Sequence, residues 1–160
     1  MNTLICSHCG LYTEGRCLGL VDIEIVSRKL ARIKKYLNDL VNHGSIDSIG
    51  RDIVKERFME FTLQQIIQLI IDTGNHVISD EKWDEPESNR EIFEILKING
   101  VIRSGLSDNL KDIIGFRNIL VHEYVELDKD IEREIYRKGL SFVEQFIKTP
   151  VEYPVVVLRG

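Results

Sequence analysis

The chain has 160 residues, 43% of them hydrophobic and 29% charged, with only three prolines and eleven glycines. That composition fits one globular domain with a substantial core and excludes disordered and fibrous classes. The formal net charge of −5 excludes a generally basic nucleic-acid coat, so any nucleic-acid contact must be local.

No uninterrupted apolar run approaches the roughly 20 residues that span a bilayer. The N-terminus has no basic start followed by an apolar signal core. The expected location is cytoplasmic, with no membrane partner. Residues 1–21 stand apart as an N-terminal extension holding Cys6, His8, Cys9 and Cys17 between Gly10, Gly15 and Gly19. Cys6-x-x-Cys9 is half of a zinc-ribbon pattern, but no second close pair follows, and His8 between the cysteines would strain a shared tetrahedral site. The three cysteines are read as reduced thiols, and no metal site is expected.

Residues 22–149 read as helical. Ile23, Val26, Leu30, Ile33, Leu37 and Leu40 recur at spacings of three and four, one face of a first helix that ends at Asn42, His43 and Gly44. Asp22 is its expected N-cap. Its other faces carry Arg28, Lys29, Arg32, Lys34 and Lys35. Such a strip is either a solvated helix face or a phosphate path, and Arg28, Lys29, Arg32 and Lys35 are the RNA-binding candidates.

A second helix is expected from about Arg51 to about Ile78. Met59, Leu63, Ile66, Ile70 and Val77 form its stripe, and Ile67, Leu69 and Ile71 widen it, which predicts a central helix covered on several sides. Gln65, Gln68, Asp72, Asn75 and His76 form a polar line along it. That line is either its one wet face or the border of a site, with Asp72, Asn75 and His76 as lining candidates. Gly74 inside the helix costs about 1 kcal/mol relative to alanine unless something approaches closely.

Residues 80–94 are acidic, and Trp83 is expected to plug this loop onto the core. Ser88-x-x-Glu91 fits a capping box for a short helix through about Ile98, which Gly100 stops. A fourth helix is expected from Ser107 as N-cap. It carries one stripe of Leu106, Ile113, Phe116 and Leu120, and a second of Leu110, Ile114, Arg117, Val121 and Tyr124. Arg117 and Tyr124 thus sit where the pattern expects hydrophobes. A fifth helix is expected from about Asp128 to before Pro150, with Ile131, Ile135, Phe142 and Phe146 inward and Gly139 allowing a close crossing. Residues 150–160 form a tail with the strand-prone run Val155–Leu158. The expected fold is all-α: an antiparallel bundle of four long helices and one short one.

Near the end of the fourth helix stands Arg117-Asn118-Ile119-Leu120-Val121-His122-Glu123-Tyr124. Arg117 and His122 are separated by about 140° around a helix, while Asn118 and His122 share a face. No nucleophilic serine or cysteine, glycine-rich phosphate loop or metal-spaced ligand cluster lies nearby. An arginine with a histidine suits cleavage of RNA, which carries its own 2′-hydroxyl nucleophile. The protein then supplies a proton-transfer group, His122, and a cation for the charge growing on phosphorus, Arg117. A two-fold dimer would bring two copies of each together. The structural alternative pairs Arg117 with Asp112 or Glu123 and lets His122 cap the helix.

The motif Arg117-x-x-x-x-His122-x-Tyr124, with the lead-in Leu110-Lys111-Asp112-Ile113-Ile114-Gly115-Phe116, resembles that of HEPN domains. Within them it is most similar to the HepT toxins of HEPN/MNT toxin–antitoxin modules. The resemblance covers about residues 22–149. It implies a helical bundle, a homodimer with the motif at its interface, and a metal-independent endoribonuclease with Arg117 and His122 as the catalytic pair. Asn118 fits the polar residue common after that arginine. The resemblance also implies a partner, an MNT nucleotidyltransferase antitoxin that uses ATP and Mg²⁺ to attach AMP to Tyr124. Cleavage itself would need no cofactor. Some HEPN proteins are inactive and serve as modules that bind a nucleotidyltransferase or a nucleotide, which is the competing expectation.

Overall fold

The computed structural model describes residues 12–13, 16–17, 23–121 and 128–148. Ahead of the helices, β1 (Tyr12–Thr13) pairs antiparallel with β2 (Arg16–Cys17), Tyr12 opposite Cys17 and Thr13 opposite Arg16. This two-residue pairing was not expected from the sequence. Cys6, His8, Cys9 and the tail 150–160 lie outside the described residues.

Among the described residues five α-helices follow: α1 (Ile23–His43), α2 (Ile53–Asp80), α3 (Asn89–Ile98), α4 (Ser104–Val121) and α5 (Lys129–Lys148). The helix α2 is the hub, touching α1, α3 and α4, while α5 closes against α1 and α4. Among the described residues no helix is long and apolar enough to cross a membrane.

The register of α1 follows its stripe. Val26, Ile33 and Leu40 are buried and Leu30 and Leu37 pack at the edge, each fully buried side chain contributing about 1.5–3 kcal/mol. Its expected cap, Asp22, lies outside the described residues. For α2, the N-cap is Asp52, whose carboxylate accepts from the Val54 and Lys55 amides and so satisfies two orphan donors. All five stripe residues of α2 are buried, with Ile67 and Ile71 beside them. Gly74 answers the question its place in a helix poses: a Cβ there would overlap Ile92 Cγ2 of α3. The missing side chain is the room α3 packs into.

Ser88 caps α3 by accepting from the Glu91 amide, and Glu91 returns by accepting from the amide of Glu87, one residue ahead of the cap. Gly100 follows α3 with φ of 74°, the left-handed conformation glycine adopts freely. Trp83 packs against the core and its amide donates to the Ile78 carbonyl, tying down the acidic loop.

Two expectations are corrected. Ser107 is not an N-cap, because α4 starts three residues earlier, at Ser104. Ser107 is fully buried instead, and its hydroxyl donates to the Phe93 carbonyl of α3 at 3.0 Å. In α5 the inward face is Glu132, Tyr136, Gly139, Val143 and Phe146, with Ile135 and Phe142 only partly covered and Ile131 54% exposed. The face turns because Glu132 shares the Lys129 ammonium with Glu56 of α2, and Tyr136 stacks edge-on against Phe116 of α4 at 5.9 Å. No described atom lies within 4 Å of where a Gly139 Cβ would stand, so no close crossing depends on that glycine.

Candidate functional site

Arg117 continues the inner stripe of α4 after Leu110 and Ile114, both buried, so the helix aims its guanidinium at α2. There Nη2 donates to Gln68 Oε1 at 3.0 Å. The amide of Gln68 is itself oriented by α2, since Nε2 donates to Asp72 Oδ1, one turn on, at 2.8 Å. From α1, Lys29 Nζ donates to the Asp72 backbone carbonyl at 3.1 Å. Three helices thus meet in one chain of bonds. Arg117 Nε is buried and has no hydrogen-bond partner among the described residues. The pairing of Arg117 with Asp112 is not what forms, because Asp112 is exposed and the guanidinium faces α2. Glu123 lies outside the described residues.

Of the other candidates, Asn118 and Asn75 are exposed. His76 turns along its own helix, with Nε2 3.3 Å from Asp80 Oδ2 but without hydrogen-bond geometry. Asp72 therefore joins the Arg117 network, while Asn75 and His76 make no described bond to it. His122 and Tyr124 lie outside the described residues. Gln68 belonged to the polar line read from the sequence, yet it was not singled out. The signal was its spacing of four from Asp72; its partner in α4 stands 49 residues away.

The basic strip of α1 is partly engaged. Arg28 pairs with Glu24, Arg32 lies 5.9 Å from the centre of the Tyr36 ring, and Lys29 turns inward to Asp72, while Lys35 is exposed. On the far side of α1, a groove of about 430 Å³ runs along α5 between Lys34, Leu37, Val41, Glu144 and Ile147. No member of the Arg117 network lines it.

A second polar cluster lies at the start of α5. Glu56, Glu60 and Glu132 each bring a carboxylate oxygen within 4.8 Å of the others. Lys129 Nζ bridges two of them, 2.7 Å from Glu56 Oε1 and 3.0 Å from Glu132 Oε2, so the cluster already holds a cation of its own. Glu56 Oε2 also accepts from the Gly50 amide at 2.6 Å. Burial pushes the Glu56 carboxyl up, but the bonds from Lys129 and Gly50 outweigh it and leave the group below its ordinary value. Glu132 moves the other way: burial dominates and raises it, and its Oε1 has no partner among the described residues. Arg133 Nη2 donates to the Ile49 carbonyl at 2.6 Å and fastens the same end of α5.

The model of the family described as "Ribonuclease HepT-like" matches residues 26–150. The mRNA nuclease HepT of Shewanella oneidensis is 34% identical over 125 residues, 78% of this chain and 94% of that protein. The tRNA nuclease HepT of Aphanizomenon flos-aquae is 30% identical over 106 residues, 66% of this chain and 69% of that protein. Among solved structures, the tri-AMPylated Shewanella oneidensis HEPN toxin in complex with MNT antitoxin superposes with a TM-score of 0.71 at 33% identity, covering 79% of this chain and 96% of that one. With the helical bundle, the match over residues 26–150 and these relatives in hand, the chain belongs to the HepT-like ribonuclease family.

Proposed function

We propose that the protein is a metal-independent endoribonuclease toxin of a HEPN/MNT toxin–antitoxin module. The observation that carries this reading is the spacing Arg117-x-x-x-x-His122-x-Tyr124 at the end of α4 in a chain of the HepT-like family. In the proposed reaction the 2′-oxygen attacks the adjacent phosphorus, the 2′-O–P bond forms and the P–O5′ bond breaks. The 2′-hydroxyl gives up a proton and the leaving 5′-oxygen takes one, leaving a cyclic phosphate and a free 5′-hydroxyl. His122 handles these proton transfers and Arg117 stabilises the charge that accumulates on the phosphorane oxygens.

A single histidine cannot serve as base and acid in one concerted step. A two-fold homodimer supplies the second His122 and makes separate roles available. Asn118, exposed on α4 after Arg117, supports the pair, and Asp72, Asn75 and His76 border the site from α2. Arg28, Arg32 and Lys35 offer an RNA path along α1, while Lys29 is turned inward to Asp72. Cleavage uses no cofactor. The partner is an MNT nucleotidyltransferase that spends ATP with Mg²⁺ to place AMP on Tyr124, putting a bulky anion where RNA must lie. The setting is cytoplasmic, with residues 22–149 as the working domain.

The test is cleavage of total bacterial RNA by purified protein in EDTA. The parent should cut, and His122→Ala and Arg117→Ala should each lose about 10²–10⁴-fold in rate while keeping the parent's fold and oligomeric state. A parent that binds the antitoxin yet never cuts would be an inactive partner module instead.

A further inference from the structure

We propose that Gln68 is a positioning residue for Arg117, one that holds the guanidinium without cancelling the charge the reaction needs. The proposal rests on the ribonuclease reading above. It begins with what Gln68 is not. An arginine held by a residue of another helix forms its stronger, charge-assisted bond with a carboxylate. Here the oxygen that meets Arg117 Nη2 at 3.0 Å belongs to a neutral amide. A carboxylate at that point would have held the guanidinium more tightly and neutralised it. The phosphorane would then compete with a fixed anion for the same cation.

Asp72 makes the neutral contact a directed one. A glutamine amide is nearly symmetric and can present either end. Because Nε2 donates to Asp72 Oδ1 at 2.8 Å, the oxygen is the end left facing Arg117. A flipped amide would set N–H against N–H at Arg117 and oxygen against oxygen at Asp72. The negative charge is kept one amide away from the guanidinium and still fixes its orientation. Lys29, bonded to the Asp72 carbonyl, holds this turn of α2 against α1.

The arrangement leaves donors unspent. Arg117 Nε–H is buried without an acceptor among the described residues. A buried donor without a partner is costly to maintain, and a phosphate oxygen is the kind of acceptor that would complete it. Gln68 thus fixes Nη2 of the guanidinium and leaves Nε unpaired among the described residues.

The experiment compares the full-length parent with Gln68→Ala and Gln68→Glu in single-turnover cleavage of a fluorescent single-stranded RNA oligonucleotide, with thermal melts of each. Gln68→Ala should lower the maximal rate about 10- to 100-fold with a smaller change in half-saturating protein concentration, because a loosened guanidinium is misplaced rather than absent. Gln68→Glu is the sharper arm. Its carboxylate can still reach Arg117, so its melting temperature should stay near the parent's while its rate at pH 8 falls at least about 10-fold. The ratio of variant to parent rate should then recover as pH falls and the new carboxyl, flanked by Asp72, Lys29 and Arg117, takes up a proton. His122 is common to both proteins and drops out of the ratio. A Gln68→Glu protein that cuts like the parent at every pH would overturn the proposal and leave the ribonuclease reading standing. A parent that does not cut RNA would overturn both.

Discussion

The ammonium of Lys129 lies 2.7 Å from the carboxylate of Glu56, a residue 73 positions earlier in the chain. This pair closes the start of α5 onto the first turn of α2, and Lys129 reaches on to Glu132 with the same group. Replacing Lys129 with methionine keeps the stem but strips two buried carboxylates of their cation. Lys129 is itself half-exposed, so water recovers part of the loss. The expected destabilisation is about 2 kcal/mol, read as a lower midpoint in urea unfolding with an unchanged slope.

Glu132 and Glu56 should pull stability in opposite directions as pH changes. Glu132 is raised above its unfolded value, chiefly by burial, so its contribution is greatest below the ordinary carboxylate range and is lost as pH rises through its folded value. Glu56 is lowered, so its contribution is present above the ordinary range and is lost as pH falls through its folded value. Glu132→Gln should therefore gain stability relative to the parent between pH 5 and pH 8. Glu56→Gln should lose stability most at neutral pH and approach the parent in acid. Urea midpoints measured from about pH 3 to about pH 8 check both signs.

Gly74 and Ile92 should show coupled effects. Gly74→Ala adds a methyl that overlaps Ile92 Cγ2, and overpacking of this kind costs about 1–3 kcal/mol, more than the helical preference for alanine returns. Ile92→Ala alone leaves a cavity costing about 2–5 kcal/mol. The double variant should be more stable than the sum of the two losses implies, with a coupling of at least about 0.5 kcal/mol in a double-mutant cycle. Strict additivity would mean that α3 shifts aside at no cost.

Tyr124 is proposed as the AMP acceptor, and intact mass decides it. After incubation with the MNT partner, ATP and Mg²⁺, the parent should gain whole AMP units and lose its ribonuclease activity. Tyr124→Phe should gain none and stay active in the presence of the partner. Additions that persist on Tyr124→Phe would move the acceptor to another residue.

Local signals were readable from the residues and tertiary ones were not. The Ser88 cap, the Gly100 stop and the stripes of α1 and α2 depend on neighbours within one or two turns, and all appear where the spacing puts them. Ser107 looked like a cap because serine before an acidic residue usually is one. Its actual partner is the Phe93 carbonyl on another helix. Ile131 looked like the core residue, but Glu132 takes that place, because the cation that makes its burial tolerable is shared with Glu56 of α2. At the candidate site, the arginine was conspicuous as a polar break in an apolar stripe. The amide that meets it stood in a polar line that read equally as a wet face or as the border of a site.

Arg117 and Lys129 flank residues 122–127, and both are tied to the same helix, one at Gln68 and the other at Glu56. Those two tie points are twelve residues apart on α2, about 18 Å along its axis at 1.5 Å per residue. The helix therefore acts as a ruler for the span that carries His122 and Tyr124. One residue inserted into α2 between Glu56 and Gln68 would turn one post by about 100° relative to the other. Lineages of this protein should accordingly keep the count between the posts fixed.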